Sequence, residues 1–221
     1  MNLVFDIETD GLKPSKIHCI VAVDDQNKVY TFEPDQLEKG VEFLAEADTL
    51  IGHNIIGYDL PVIKKLIGVD LTKHVKVFDT LVVSRLINPN QEGGHSLEMW
   101  GYRLRFHKSD QPDFSKYSKE MLNYCIKDTQ LNKKVYEELT KNMTGFKKDS
   151  LELEFKVSEI LKDQETSGFK FDMKKASLLL SKLRERMKEV EDEVHKVFQP
   201  KWVDEKLVTP KLKKDGTLSK S

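Results

Sequence analysis

Two acidic residues near the N-terminus, Asp6 and Glu8, stand two positions apart in an otherwise apolar stretch. Successive side chains of a β-strand point to opposite faces, so both carboxylates would share one face and Leu3, Phe5 and Ile7 the other. Two carboxylates roughly 6.5 to 7 Å apart along a strand repel each other unless a proton or a cation relieves them. The pair therefore predicts either a metal site or an edge strand whose acidic face meets water.

A third acid, Asp128, lies on the apolar stripe of a predicted helix from Lys119 to about Leu139. Burying a carboxylate costs several kcal/mol unless a partner offsets its charge, and that partner could be a lysine or a metal. Tyr124 precedes Asp128 by four residues, so the phenol and the carboxylate share a helical face. The alternative is a buried tyrosine that donates to a neighbouring aspartate for stability alone.

A fourth acid, Asp59, stands where another helix is predicted to begin, and as an N-cap it would need no further role. Acids at 6, 8, 59 and 128 and a tyrosine at 124 are nevertheless spread over elements that an α/β fold can bring together. We therefore favour one shared site over several independent structural roles.

The remaining pattern alternates strands with helices and then becomes purely helical. Three antiparallel strands are expected to open the chain, a polar stretch from 108 to 118 is expected to be mobile surface, and the last twenty residues are expected to fray. The predicted strands cover about 3–8, 17–23, 29–32, 49–53 and 75–78, and the predicted helices about 35–47, 59–68, 79–86, 95–106, 119–139, 148–166 and 173–198.

Composition limits the possible partners. The 221 residues can bury one substantial core, and 36 basic against 37 acidic residues leave a net charge of -1. A nucleic-acid substrate would have to be held by local basic patches and metals, because no global positive field exists. Cys19 and Cys125 fall in apolar elements without metal-ligand spacing and are predicted to be buried and reduced. No membrane span or signal peptide is recognised, so a soluble intracellular protein is expected.

Three motifs carry a family resemblance. Asp6-x-Glu8, His53-Asn54-x-x-Gly57-Tyr58-Asp59 and Tyr124-x-x-x-Asp128 resemble, in order and spacing, the signature of the four-acid (DEDD) 3′–5′ exonucleases in their tyrosine-bearing branch. The connecting stretches 78–86, 94–104 and 168–172 resemble the exonuclease part of family A DNA polymerases of short-tailed bacteriophages. The similarity spans most of residues 1–185.

The resemblance implies a ribonuclease H-like α/β fold, in which helices flank a mixed five-stranded sheet with the first strand at its centre. Residues 1–146 would form the exonuclease domain. Residues 147–221 would form a helical extension that resembles the start of a polymerase thumb and ends in a basic, flexible tail. The loop between Leu86 and His95 is shorter than in the phage relatives.

The resemblance also implies roles for individual residues. Two divalent cations, Mg²⁺ or Mn²⁺, would be held by four acids: Asp6 would bridge both, Glu8 and Asp128 would hold the one carrying the nucleophile, and Asp59 would support the second through water. Tyr124 would orient the attacking water. The residues expected to position the terminal nucleotide are Thr9, Leu12, His53, Asn54 and Tyr58, although Leu12 could be core and Tyr58 a plain surface aromatic.

The function implied is 3′–5′ removal of nucleotides from single-stranded DNA or frayed duplex ends, in proofreading or DNA degradation during phage replication. A polymerase domain in cis or in trans would be the partner, and the host-cell cytoplasm the location. One alternative is an exoribonuclease of the same superfamily. Another is a binding module without hydrolysis, which is less favoured because an acidic pocket without metal repels phosphate.

Overall fold

The computed structural model of the protein describes residues 1–106, 111–199 and 201. The chain forms two compact units, Met1–Gly168 and Phe169–Ser221. The first unit contains all five strands and six of the seven α-helices found among the described residues. The predicted tail, from residue 202 onward, lies outside the described residues.

A mixed five-stranded sheet forms the centre of the first unit, as predicted. Strand order is β3-β2-β1-β4-β5, so β1 is the central strand. It pairs antiparallel with β2 and parallel with β4, while β3 extends the antiparallel side and β5 the parallel side. The strands are β1 Asn2–Thr9, β2 Ile17–Asp24, β3 Val29–Phe32, β4 Thr49–Gly52 and β5 Lys76–Asp79.

Helices flank the sheet, and residues that commonly cap or end helices lie at their ends. Gly68, with φ of 85°, ends α2 in the left-handed region that glycine adopts without strain. Ser118 caps α5 by accepting a hydrogen bond from the Met121 backbone N–H at 3.1 Å. The helices of the first unit are α1 Leu37–Ala45, α2 Asp59–Ile67, α3 Thr80–Ile87, α4 Leu97–Arg103, α5 Lys119–Asn142 and α6 Lys148–Ser167, and the second unit contains α7 Met173–Val197.

The two faces of the sheet pack against different helices. Leu3, Phe5 and Ile7 of β1 belong to the apolar cluster that α1 and α2 complete. On the other face, Cys19 and Val21 of β2 pack with residues of α5. Because side chains alternate along β1, the face opposite Leu3, Phe5 and Ile7, which carries Asp6 and Glu8, is the one that α5 covers.

The helix α6 packs within the first unit. The Phe155 ring lies 5.8 Å from the Phe78 ring, and Leu151 joins the cluster formed by α3, α4 and α5. The compact units therefore divide after Gly168, whereas the functional boundary expected from sequence falls at residue 146. That functional division stays a prediction. None of the described helices has the length and apolar run needed to cross a bilayer.

The packing of β1 generates a prediction about stability. Phe5 is completely buried, so Phe5→Ala should lower the free energy of unfolding by about 3–5 kcal/mol through lost transfer energy and a residual cavity. Leu12 is 91% exposed, so Leu12→Ala should change the free energy of unfolding by less than about 0.5 kcal/mol. Urea denaturation of both variants checks this; equal effects would contradict the described packing.

Candidate active site

Asp6 and Glu8 project from the central strand toward α5. One carboxylate oxygen of each, together with the Cys125 sulfur, forms a group whose atoms all lie within 4.8 Å of one another. Asp6 is half-buried and Glu8 is buried. Since β1 is the central strand and Glu8 is buried, the alternative of a hydrated acidic edge strand is wrong.

Asp59 is tied directly to β1 and does not occupy the N-cap position. Tyr58 is the residue before the helix, and Asp59 is the first residue of α2. The Asp59 Oδ1 atom accepts a hydrogen bond from the Ile7 backbone N–H at 3.3 Å. The side chain is buried. The purely capping role considered from sequence therefore does not describe this residue.

Tyr124 and Asp128 lie one turn apart on α5, and both are buried. The Tyr124 ring meets the Phe114 ring edge to face, with centroids 6.1 Å apart. Phe114 belongs to the stretch expected to be mobile, where residues 107–110 lie outside the described part of the chain. Its backbone carbonyl lies 3.0 Å from His18 Nε2, so residue 114 is linked to β2.

The carboxylates form a cluster of like charges in a buried setting. Burial, together with the neighbouring Asp6, Asp128 and Asp59, raises the pKa of Glu8 to about 10. Burial, followed by the charge of Asp6, raises the pKa of Asp59 well above its ordinary range. At neutral pH such a cluster needs protons or a cation to offset its repulsion.

The donor set fits a hard divalent cation. Carboxylate oxygens are the ligands that Mg²⁺ and Mn²⁺ prefer. Burial raises the pKa of the Cys125 thiol well above its ordinary value, so the sulfur stays protonated and is a poor metal ligand. The Cys125 thiol donates instead toward the Asp6 backbone carbonyl at 3.7 Å.

The residues expected to position a nucleotide fall into two groups. Thr9 and Tyr58 meet at the end of β1, where their hydroxyl oxygens are 2.6 Å apart. The Tyr58 hydroxyl donates to the Gly11 carbonyl at 2.7 Å, so Tyr58 is more than a surface aromatic. Leu12 is exposed, and its alternative assignment to the core is wrong.

The second group lies in the loop before α2. His53 Nδ1 is 2.9 Å from the Thr80 hydroxyl oxygen, and Asn54 is exposed with φ of 66°. A Cβ at Gly57 would lie 2.4 Å from Asn54 Oδ1, so a larger residue there would require the Asn54 side chain to move. Glycine at this position of the second motif leaves that side chain in place.

Asp79 is a residue whose contribution the sequence reasoning missed. Its Oδ1 accepts from the backbone N–H groups of Asn54 at 3.0 Å, Leu81 at 2.9 Å and Val82 at 3.4 Å. Its Oδ2 accepts from the Ile56 N–H at 3.1 Å. One buried carboxylate therefore caps α3 and also fixes the loop that leads to Asp59. The sequence predicted only that a helix begins here.

Comparison with known proteins agrees with the fold. Residues 3–100 match the family model of the RNase H superfamily. Over 96% of its length the chain is 27% identical to the DNA-directed DNA polymerase of Escherichia phage T7 and 28% identical to that of Enterobacteria phage T3. It spans 40% of the length of each polymerase.

Solved structures show the same fold at low sequence identity. Brucella melitensis NrnC bound to pGG matches with a TM-score of 0.60 at 20% identity, over 78% of this chain and 88% of that one. NrnC with bound Mg²⁺ matches with a TM-score of 0.59 at 19% identity, over 78% and 89%. The POL domain of Pol1 from M. smegmatis, in complex with DNA and dNTP, matches with a TM-score of 0.62 at 15% identity, over 91% and 34%.

The sheet order and the superfamily match over residues 3–100 define a ribonuclease H-like fold. More particularly, nearly the whole chain is similar to the DNA-directed DNA polymerases of phages T7 and T3. The resemblance to phage DNA polymerases, inferred from the stretches that connect the three motifs, is thereby confirmed, whereas the tyrosine-bearing four-acid type stays a prediction. The roles of the individual site residues stay predictions.

The raised pKa of Glu8 predicts how stability depends on pH without divalent cations. The folded protein keeps a proton up to a pKa of about 10, whereas unfolded Glu8 releases it near its ordinary value of 4.5. Because the folded state binds more protons in between, its stability should fall as pH rises from about 5 to about 9. Glu8→Gln should reduce that slope, as measured by urea denaturation in EDTA.

The exposed Glu42 provides the control for this experiment, since Glu42→Gln should leave the slope unchanged. Added Mg²⁺ should raise the melting temperature more at pH 8.5 than at pH 6, because protons and the cation compete for the same oxygens. A slope of opposite sign in the parent protein would contradict the buried, protonated state of Glu8.

The four bonds of Asp79 generate a further prediction. Asp79→Asn replaces one acceptor oxygen with an NH₂ group that must face at least one backbone N–H, and should cost about 1–3 kcal/mol of stability. The amide protons of Asn54 and Ile56 should exchange faster with solvent. Asp172→Asn is the matched control, because Asp172 accepts from a single amide at an exposed helix start. Unchanged exchange at Asn54 would show that Asp79 does not hold the loop.

Proposed function

We propose that this protein is a 3′–5′ exonuclease that hydrolyses nucleotides from the 3′ end of DNA with the help of divalent cations. The observation that carries the proposal is the convergence of four carboxylates, from β1, the start of α2 and the middle of α5, on one buried site. Asp6, Glu8, Asp59 and Asp128 come from positions up to 122 residues apart in the sequence. Packing for stability alone would not gather so many like charges.

The four acids would hold two cations, Mg²⁺ or Mn²⁺. When bound, such ions activate a water and relieve the charge on the leaving 3′ oxygen. The chain contributes rigidity. Glu8 is fixed on β1 opposite Cys19 of the antiparallel neighbour β2, and Asp59 is fixed by the Ile7 amide. The carboxylates are thus preorganised, so little reorganisation is needed when the substrate arrives.

Tyr124 would aim the attacking water. A phenol with a pKa near 10 is protonated at pH 7, so the hydroxyl can hold a water but is a poor general base. Its ring is restrained by Phe114, whose carbonyl contacts His18. Tyr124 would therefore position the water, whereas the bound cations would lower the pKa of that water.

The terminal nucleotide would bind beside the end of β1. Leu12 offers an exposed apolar side chain, and Tyr58 is anchored next to it through Thr9 and Gly11. An unstacked base can pack on such surfaces without regard to sequence. Single strands and frayed ends would be preferred, because a closed duplex must first be melted. His53 and the exposed Asn54 would contact the same nucleotide.

The similarity to phage polymerases supports a role in DNA metabolism. The chain spans 40% of those proteins, so a polymerase domain, in cis or in trans, is the partner we propose, with proofreading or DNA degradation as the task. We place this activity in the cytoplasm of a phage-infected host cell.

One observation supports a second candidate, an exonuclease acting on RNA. The match to NrnC, solved in complex with pGG, covers 88% of that chain, whereas the polymerases are covered over only 40% of their length. The two candidates differ in whether the site accepts a 2′-hydroxyl. Parallel DNA and RNA substrates distinguish them.

The experiment uses 5′-labelled DNA and RNA oligonucleotides, single and double stranded, with Mg²⁺. We expect a ladder that shortens by single nucleotides from the 3′ end of single-stranded DNA. Asp6→Ala and Asp128→Ala should lower the rate by orders of magnitude without loss of stability, because each removes one charge from a repelling cluster. Asp35→Ala, at an exposed position, should have no effect. Internal fragments, or degradation that persists with a blocked 3′ end, would refute the exonuclease proposal.

Tyr124→Phe should slow the chemical step by roughly 30 to 1,000-fold, the usual cost of about 2–4 kcal/mol for one orienting hydrogen bond. Folding should survive, because the ring and its contact with Phe114 remain. Tyr124→His should recover part of the rate, with a pH dependence near the pKa of imidazole. Single-turnover rates from about pH 6 to about pH 9 measure both effects.

Tyr136→Phe is the matched control for Tyr124. It removes a hydroxyl from the same helix at a position that packs against Phe78, and its rate should equal that of the parent. A Tyr124→Phe variant as fast as the parent would leave Tyr124 with only a packing role.

A further inference from the structure

The second unit contains a helix with a regular apolar seam. Along α7, apolar residues recur at alternating steps of three and four, which is the heptad spacing of a helix that pairs with another helix. This seam consists of eight residues: Met173, Ala176, Leu180, Leu183, Met187, Val190, Val194 and Val197.

The seam is exposed. Its seven large side chains have between 42% and 73% of their surface accessible. A helix in a folded protein normally buries such a stripe, because leaving it in water forfeits the stabilisation that apolar burial provides. The seam therefore fits a partner that offers a complementary apolar stripe.

The charges beside the seam indicate which partner fits. Arg184 and Arg186 flank its N-terminal half, and Glu191 and Glu193 flank its C-terminal half. In heptad terms these are the e and g positions, which lie next to the partner helix and set its identity and direction. The positions that flank the seam are thus basic at 184 and 186 and acidic at 191 and 193.

We propose that α7 pairs with α7 of a second copy of this chain as an antiparallel coiled coil. The two-fold axis would pass between Lys188 and Glu189. Leu180 would then lie opposite the partner's Val197, and Leu183 opposite the partner's Val194. The overlap of 18 residues from 180 to 197 corresponds to about 27 Å of paired helix.

Charge complementarity favours the antiparallel direction. Arg184 would face the partner's Glu191 and Arg186 the partner's Glu193, and symmetry repeats each pair. A parallel pairing would place basic beside basic halves and would match only Arg186 with the partner's Glu191. Arg186 also pairs with Glu189 of its own helix at 2.8 Å, an exposed contact too weak to prevent exchange. In an antiparallel pair the helix dipoles also point in opposite directions, so the positive end of each helix lies beside the negative end of the other.

The test is sedimentation equilibrium of the full chain from about 1 µM to about 1 mM, a range suited to weak association. The parent should show a monomer–dimer equilibrium. The double variant Arg184→Glu with Arg186→Glu should weaken the association at least about tenfold. The double variant Glu191→Arg with Glu193→Arg should do the same, because either change brings like charges face to face across the dimer. An equimolar mixture of the two variants should restore the dimer. A mixture that stays monomeric would overturn the proposal.

Lys182→Glu with Lys188→Glu is the matched control. It makes the same charge change in the same stretch but at outward-facing positions, and association should persist. If the control variant weakened the association as much as the test variants do, the proposal would be overturned. Leu183→Glu should abolish the dimer, while circular dichroism should show that α7 is still helical. A parent protein that stays monomeric at every concentration would also refute the proposed pairing.

Arg184→Glu alone tests the direction. In the antiparallel pairing it loses two ion pairs and weakens the dimer. In a parallel pairing residue 184 would face the partner's Leu179, and an unchanged dimer would therefore overturn the antiparallel assignment.

Discussion

The contact between α5 and the central strand is the interaction on which the site depends. It buries Asp128 near Glu8 and Asp6, and so uses apolar packing to hold together groups that repel each other. From the same helix, Leu122 and Cys125 pack against Cys19 and Val21 of the neighbouring strand β2. The fold tolerates the electrostatic cost because protons, or a cation, occupy the cluster when substrate is absent.

A second constraint acts through backbone hydrogen bonds. Asp79 links the start of α3 to the loop containing Asn54, and the Ile7 amide links Asp59 to β1. The loop is thereby attached to the sheet at two points, before and after Tyr58. This arrangement explains why a segment with a left-handed asparagine and a closely approached glycine keeps one conformation.

Local patterns made much of this architecture predictable. Alternation placed Asp6 and Glu8 on one face of β1, and helical periodicity placed Tyr124 with Asp128, because both depend on neighbours within one element. The attachment of Asp79 to Asn54 and the approach of Cys125 to Asp6 were not predictable, since they follow from how separate elements pair. Leu12 shows the opposite limit: an apolar side chain carries no local sign that it will face solvent.

The separation of β1 from α5 along the chain has a consequence for biosynthesis. At roughly 5–20 residues per second, about 6–24 s pass between synthesis of Asp6 and of Asp128. During that interval the acid-bearing face of the central strand has no helix to cover it, and its pairing with β4 also awaits later residues. The nascent chain must therefore expose this face, where the apolar Cys19 and Val21 lie beside the two acids, on the ribosome. A holding chaperone would be of most use in that period. Nuclease competence would appear only after the last of the four acids has emerged.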